Sequence, residues 1–217
     1  MEAREDIEAR RRYRQLTARL ALGGVIGPIV LVAAFTVAGA LRPGYSPIRD
    51  VVSDLGLGPR AWIVNGAGLL NAALLTAWVA AFFRRARTTL SRTRRRLCAG
   101  LLEVPAIGYA MASVFTEARA TNGIHVYAGA VPALVAPALV FLVAGLALRR
   151  NAHWRGWSGY SFAASAATAL LVALTLWSFA EEAQPAGIAV EGLAERALII
   201  VTLAWYVVAG WRIARKP

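Results

Sequence analysis

The sequence predicts an all-α integral membrane protein: a six-transmembrane-helix bundle with both termini cytoplasmic and a short outer interfacial helix between spans 1 and 2. Three observations carry that expectation. The 217 residues are 58% hydrophobic, with mean hydropathy +0.53, yet carry a formal charge of +12, a combination that suits apolar spans joined by basic loops. Long apolar runs recur along the chain. Lys and Arg collect in alternate connections, where 19 of the 24 fall, and the positive-inside rule makes those connections cytoplasmic.

Taken in order, residues 1 to 19 form a charged, basic N-terminal segment, read as an amphipathic helix on the inner membrane surface with Tyr13 and Leu16 available to the interface. Residues 20 to 217 form a single six-span domain, because its connections are too short to separate folded units. Spans 1 and 2, at 20 to 41 and 61 to 83, contain no charge; the first is too long for a signal-peptide core and reads as retained. Spans 3, 4 and 5, at 97 to 116, 124 to 148 and 156 to 180, hold at most one ionisable residue each. The last charge-free run, 197 to 211, has 15 residues, or roughly 22 Å of helix against a hydrocarbon core of about 30 Å. Span 6 therefore starts near 188, which draws Glu191, Glu195 and Arg196 into its outer turns, the two glutamates on one face. Pro28, Pro105, Pro132 and Pro137 should kink spans 1, 3 and 4.

The charge excludes less than it suggests. The stretch RRARTTLSRTRRR lies between two spans without aromatic interleaving, so topology and anionic lipids at the cytoplasmic face account for it and no nucleic acid partner is expected. Cys98 is the single cysteine, so no internal disulfide exists. No lysine lies in a span and only His125 is near one, His153 being in a cytoplasmic loop. A retinal-type Schiff base and a bis-histidine haem are thereby excluded, and a His125/Met111 haem pair has little to recommend it.

The acids are distributed one-sidedly. Four precede span 1, Glu103 lies inside span 3, and Asp50, Asp54, Glu117, Glu181, Glu182, Glu191 and Glu195 all fall at outer ends. Short connections should bring several of them into one polar cup. In YSPIRDVVSDLGLGPR, Ser46 can cap a helix starting at Pro47, with Gly56, Gly58 and Pro59 ending it. Asp50, Ser53 and Asp54 would then share one face, Arg49 could pair with either aspartate, and Val51, Val52 and Leu55 would rest on bilayer or bundle. The alternative is an ordinary interfacial helix with a solvated acidic face.

Two short motifs resemble a known family. Ser53-Asp54-Leu55-Gly56 resembles the Ser-x-Leu-Gly found after span 1 in the prokaryotic multi-span membrane family called domain of unknown function nine-nine-eight. Phe115-Thr116-Glu117, followed by Gly123-Ile124-His125, resembles its acid, short loop and histidine before span 4, with Thr116 and Glu117 where that family more often has Pro and then Asp. The resemblance covers most of the chain and implies a six-span fold, a prokaryotic inner or plasma membrane, and Ser53, Glu117 and His125 as site positions. It transfers no chemistry.

The candidate groups divide by role. Asp50, Asp54, Glu117, His125, Glu181 and Glu182 are the candidate acids and bases, since carboxylates in unlike environments can divide donor and acceptor roles and a histidine near them can deliver protons. Ser53, Trp62, Tyr109, Tyr127, Trp177 and Phe179 could line a greasy substrate pocket, although the aromatics equally fit an interfacial belt. Glu103, Glu191 and Glu195 are intramembrane or near-membrane carboxylates, expensive and therefore functional by default, or else neutral acids bonded to a neighbouring helix. Asn65 and Asn71 are expected to bond helix to helix. Asp50, Asp54, Glu117 and His125 have no metal-ligand spacing, so no metal is expected.

The leading expectation is a membrane enzyme performing cofactor-independent acid–base chemistry on a lipophilic, isoprenoid-like molecule: isomerisation, cyclisation or epoxide opening. A small proton-coupled transporter or lipid-binding protein, and an assembly partner for another membrane protein, remain open; the sequence leaves the oligomeric state unassigned.

Overall fold

A computed structural model describes residues 2–149, 154, 156–182 and 189–215, with the backbone alone at residues 2, 3, 181 and 182. His153 and the side chains of Glu181 and Glu182 lie outside the described residues. All regular structure among them is helical: α1 (Glu2–Ala21), α2 (Gly23–Ala40), α3 (Ala61–Arg85), α4 (Arg92–Val114), α5 (Asn122–Leu148), α6 (Trp157–Glu182) and α7 (Glu191–Arg215). Six helical stretches are long and apolar enough to cross a membrane. Each of α2 to α6 packs on the next, and α7 closes the ring by packing against both α6 and α2. Loop 41 to 60 marks one end of the bundle, and α1 the other.

The N-terminal segment departs from its expected place as a separate surface helix. The Leu22 N–H donates to the Ala18 carbonyl at 3.3 Å and the Ile26 N–H to the Leu22 carbonyl at 2.9 Å, so helical bonding runs through Leu22 and α1 prolongs the first span. Tertiary contact ties it to the bundle. Thr17 is buried, and the Tyr13 hydroxyl donates to the Arg84 carbonyl on α3 at 3.1 Å.

Prolines act unequally. The α-helical backbone continues through Pro28 and Pro105, whereas α5 widens into a π-helix over His125–Val135, with Pro132 inside it and Pro137 in the first turn of the α-helix that follows. Proline lacks the N–H that would tighten the helix, and a π register moves each remaining bond one residue further along. The wide segment meets α4 backbone to backbone: a Cβ on Gly108 would lie 2.4 Å from the Ala133 nitrogen, and one on Gly129 2.8 Å from the Ala112 Cα.

The two ends of the bundle are filled differently. Towards the α1 end Trp205 stacks on Phe141 at 4.5 Å between ring centroids, meets Trp78 edge-on at 5.7 Å and Trp157 at 5.2 Å, and donates from its indole to Ser161 Oγ at 3.1 Å. Tyr206 is fully buried beside it, its hydroxyl donating to the Leu102 carbonyl at 3.2 Å. This aromatic plug closes that half. Trp205→Ala should lower stability by about 3–5 kcal/mol, the usual range for emptying a buried aromatic site, while Trp62→Ala on the outer surface should leave it unchanged; thermal unfolding in detergent checks both.

Candidate functional site

At the other end, loop 41 to 60 is bound to the first turns of α7. The free N–H groups of Gly192 and Leu193 donate to the carbonyls of Arg49 and Ile48 at 3.2 and 3.0 Å, which satisfies donors that a helix start leaves over. A Cβ on Gly192 would lie 2.3 Å from the Asp50 carbonyl oxygen, so only glycine admits this approach. Arg196 spans the seam, donating to the carbonyls of Pro47, Asp50 and Gly192 at 2.9, 2.8 and 2.8 Å and to the Tyr45 hydroxyl. Tyr45 in turn donates to the Val51 carbonyl at 2.9 Å, and the Val52 N–H donates to Glu195 Oε2 at 2.5 Å.

These bonds explain why the expected helix over this segment is reduced to a four-residue 3₁₀ turn, Ser53–Gly56. The carbonyls of Asp50 and Val51 and the N–H of Val52 are spent on Arg196, Tyr45 and Glu195 instead of on an i→i−4 ladder. Asp50, Ser53 and Asp54 therefore do not form one helical face. Asp50 turns back to accept from the Ser46 N–H at 2.6 Å. Arg196, which the sequence marked only as a charge in span 6, holds the segment through its carbonyls, and among the described residues no ion pair joins Arg49 to Asp50 or Asp54.

Beneath the loop lies a cavity of about 80 Å³. Its walls are mainly apolar, from Leu31 and Phe35 on α2, Val64 on α3, Ala112 on α4, Leu134 on α5 and Ile199 on α7. A few polar groups interrupt them. Glu195 faces the cavity at 9% exposure, and Tyr109, 7% exposed, also lines it with its hydroxyl unbonded among the described residues. Ser53, Asn65, Ser113, Thr116 and His125 complete the polar lining. Asn65 donates to the Gly56 carbonyl at 3.1 Å and so fixes the 3₁₀ turn to α3.

His125 is oriented by its own neighbourhood. Its Nδ1 lies 2.8 Å from the Phe115 carbonyl and 3.2 Å from that of Ala112. Both partners are acceptors, so Nδ1 carries a hydrogen and Nε2 is the ring nitrogen turned towards Glu117. That nitrogen is 3.7 Å from Glu117 Oε1. The histidine is buried at the cavity wall and the glutamate side chain, 27% exposed, lies beside it outside the lining.

The expected cup is thus partly assembled. Glu195 lies within electrostatic range of Glu117 and Asp54, but of the described acids Glu195 alone lines the cavity. Asp54, in the loop, stays half-buried; burial pushes its carboxyl above the usual value, against the opposing charge of Arg42. Glu191 is buried with Oε2 unbonded among the described residues, one turn before Glu195 as expected. Glu103 accepts from the Thr76 hydroxyl on α3, which matches the bonding alternative. Asn71, expected to bridge helices, is fully buried with neither amide atom bonded among the described residues. Trp62 and Tyr127, 73% and 78% exposed, and Trp177 and Phe179, also exposed, point away from the bundle and line nothing; their placement is that of a surface belt. Glu181 and Glu182 end α6, which contributes no described residue to the cavity. No group of three or more His, Cys, Asp or Glu side chains suited to a metal occurs among the described residues.

The described fold and the two loop motifs agree with the outcome of a family comparison, in which the model for "Protein of unknown function (DUF998)" matches residues 25–212. The chain belongs to the DUF998 family. That match takes in every described residue of the cavity and of the clamp on α7. No curated protein and no solved structure matches the chain.

Two outcomes follow from this geometry. Arg196→Gln leaves three carbonyls short of a charged donor and should cost at least about 2 kcal/mol, read as faster tryptic cleavage after Arg49 at a temperature where the wild type resists it. For Asp54 the folded value is raised, so its contribution is fully present below the unfolded value and is lost as pH rises through the folded one. Asp54→Asn should therefore raise the melting temperature at pH 7, with the gain vanishing near pH 4; melting curves across that interval check the sign.

Proposed function

We propose that this chain is a multi-pass membrane enzyme performing cofactor-independent acid–base chemistry on a lipophilic, isoprenoid-like molecule, with Glu195 as the principal proton-transferring group. The observation that carries this reading is a buried carboxylate and an unbonded tyrosine hydroxyl facing one largely apolar cavity. An apolar chamber with few convergent polar groups suits a greasy substrate bearing one reactive double bond, epoxide or carbonyl. Glu195 has one oxygen held by the Val52 N–H, which orients the carboxyl for proton transfer. The Tyr109 hydroxyl can donate to oxygen developing negative charge. His125, with Glu117 3.7 Å from its Nε2, is the second candidate for proton delivery at the cavity wall.

Isomerisation, cyclisation and epoxide opening need no more than these groups: a proton is added at one atom of the substrate and removed at the same or another. The basic-loop asymmetry supports a reading in which the cavity mouth faces the outer side of a plasma membrane and both termini lie inside. A small proton-coupled transporter is the second reading, favoured by the π-helical segment of α5, since irregular helices recur at transport sites. The aromatic plug weighs against a through path.

Untargeted mass spectrometry of organic extracts tests the enzyme reading in cells carrying wild type, Glu195→Gln or His125→Asn at matched membrane expression. One lipophilic pair should interconvert with wild type, fall about 100-fold or more with Glu195→Gln, and fall less with His125→Asn, in keeping with the usual worth of a positioned acid or base. Extracts that do not differ between wild type and Glu195→Gln overturn it, and proton flux in liposomes then tests the transporter.

A further inference from the structure

A second pocket lies at the α1 end, between α1 and the end of α3 with the turn after it. Five arginines face it: Arg10 and Arg14 from α1, and Arg84, Arg85 and Arg87 from α3 and the turn. The one acid among its lining residues, Asp6, is taken up by Arg10, whose Nε and a terminal nitrogen lie 3.0 and 2.8 Å from Asp6 Oδ2. Among the described residues no carboxylate lies within 4.0 Å of Arg14, Arg84 or Arg87.

These guanidinium groups are placed by structure. Arg10, Tyr13, Arg14 and Thr17 recur at helical spacing, so they share one face of α1. The Arg84 guanidinium stacks 3.9 Å from the Tyr13 ring centroid, with that of Arg87 at 5.6 Å. Arg84 also donates from Nε to Thr17 Oγ1 at 3.0 Å and from a terminal nitrogen to the Tyr13 carbonyl at 3.4 Å. Loop basicity demanded by topology needs no such stacking and no contribution from a neighbouring helix. Holding like charges around one pocket is unfavourable until an anion enters, and an oxygen-rich tetrahedral anion meets several planar donors at once.

The geometry points to a binding site for a phosphate group, supplied by the headgroup of an anionic phospholipid where α1 joins the first span. The pocket has a volume of about 580 Å³, enough for a headgroup. It is separate from the cavity under loop 41 to 60, so its failure leaves the enzyme reading untouched.

Native mass spectrometry of the full chain in detergent, with phosphatidylglycerol and phosphatidylcholine in equal amounts, tests this. Wild type should retain phosphatidylglycerol at least tenfold over phosphatidylcholine. The double variant Arg14→Gln, Arg87→Gln, which removes no hydrogen bond described for the fold, should bring that preference below threefold. Arg92→Gln, Arg96→Gln removes equal charge outside the pocket and should keep it. In a second arm, inorganic phosphate that displaces the lipid and raises the melting temperature of wild type, but not of the pocket variant, supports the phosphate site and names free phosphate as sufficient. Equal retention of both lipids by wild type, or equal loss in the two double variants, overturns the proposal.

Discussion

The cavity end of this protein depends on how the segment around Tyr45 to Val52 is held on the first turn of α7. A loop crossing a helix bundle carries backbone groups that an apolar setting cannot leave unbonded. Here the helix start supplies N–H donors that it could not use itself, Arg196 supplies charged donors for carbonyls, and Glu195 supplies an acceptor. One contact solves both sets of unsatisfied groups. It also fixes the roof of the cavity and turns the Glu195 carboxylate into it.

Division of labour between the two halves of the bundle follows. Trp78, Phe141, Trp157, Trp205 and Tyr206 fill the α1 half with interlocking rings, and dense packing there can hold the helices apart where side chains are smaller. Near His125 the π-helical stretch and the glycine and alanine contacts with α4 bring two backbones close while the polar side chains remain at the cavity wall. A half filled with aromatic rings thus adjoins a half that holds the cavity.

The fold was legible because hydrophobic length is a one-dimensional property: the charge-free runs marked the helices to within a few residues, and Glu191 opens α7 as the short last run required. The role of α1 was not, since whether an amphipathic helix lies on lipid or on protein depends on where Arg84 and Thr17 meet in three dimensions. The site was half legible. Ser53, Tyr109 and His125 line the cavity and Glu117 stands beside His125, but the pairing of Glu195 with Val52 spans 143 residues and leaves no local pattern. The clue that existed was compositional: a glycine between Glu191 and Glu195, and an arginine immediately after, in the first turns of an apolar helix. Trp62 and Tyr127 were indistinguishable in sequence from pocket residues because an aromatic belt and an aromatic pocket have the same composition.

The most direct test of the central claim, that Glu195 faces a chamber open to lipophilic molecules, is site-resolved labelling with dicyclohexylcarbodiimide, an apolar reagent for carboxylic acids shielded from water. The account predicts modification at Glu195, abolished in Glu195→Gln and slowed by a bulky side chain at Ala133, with Asp50 unmodified on the same time scale. Modification of Asp50 and Glu117 with Glu195 untouched would contradict it.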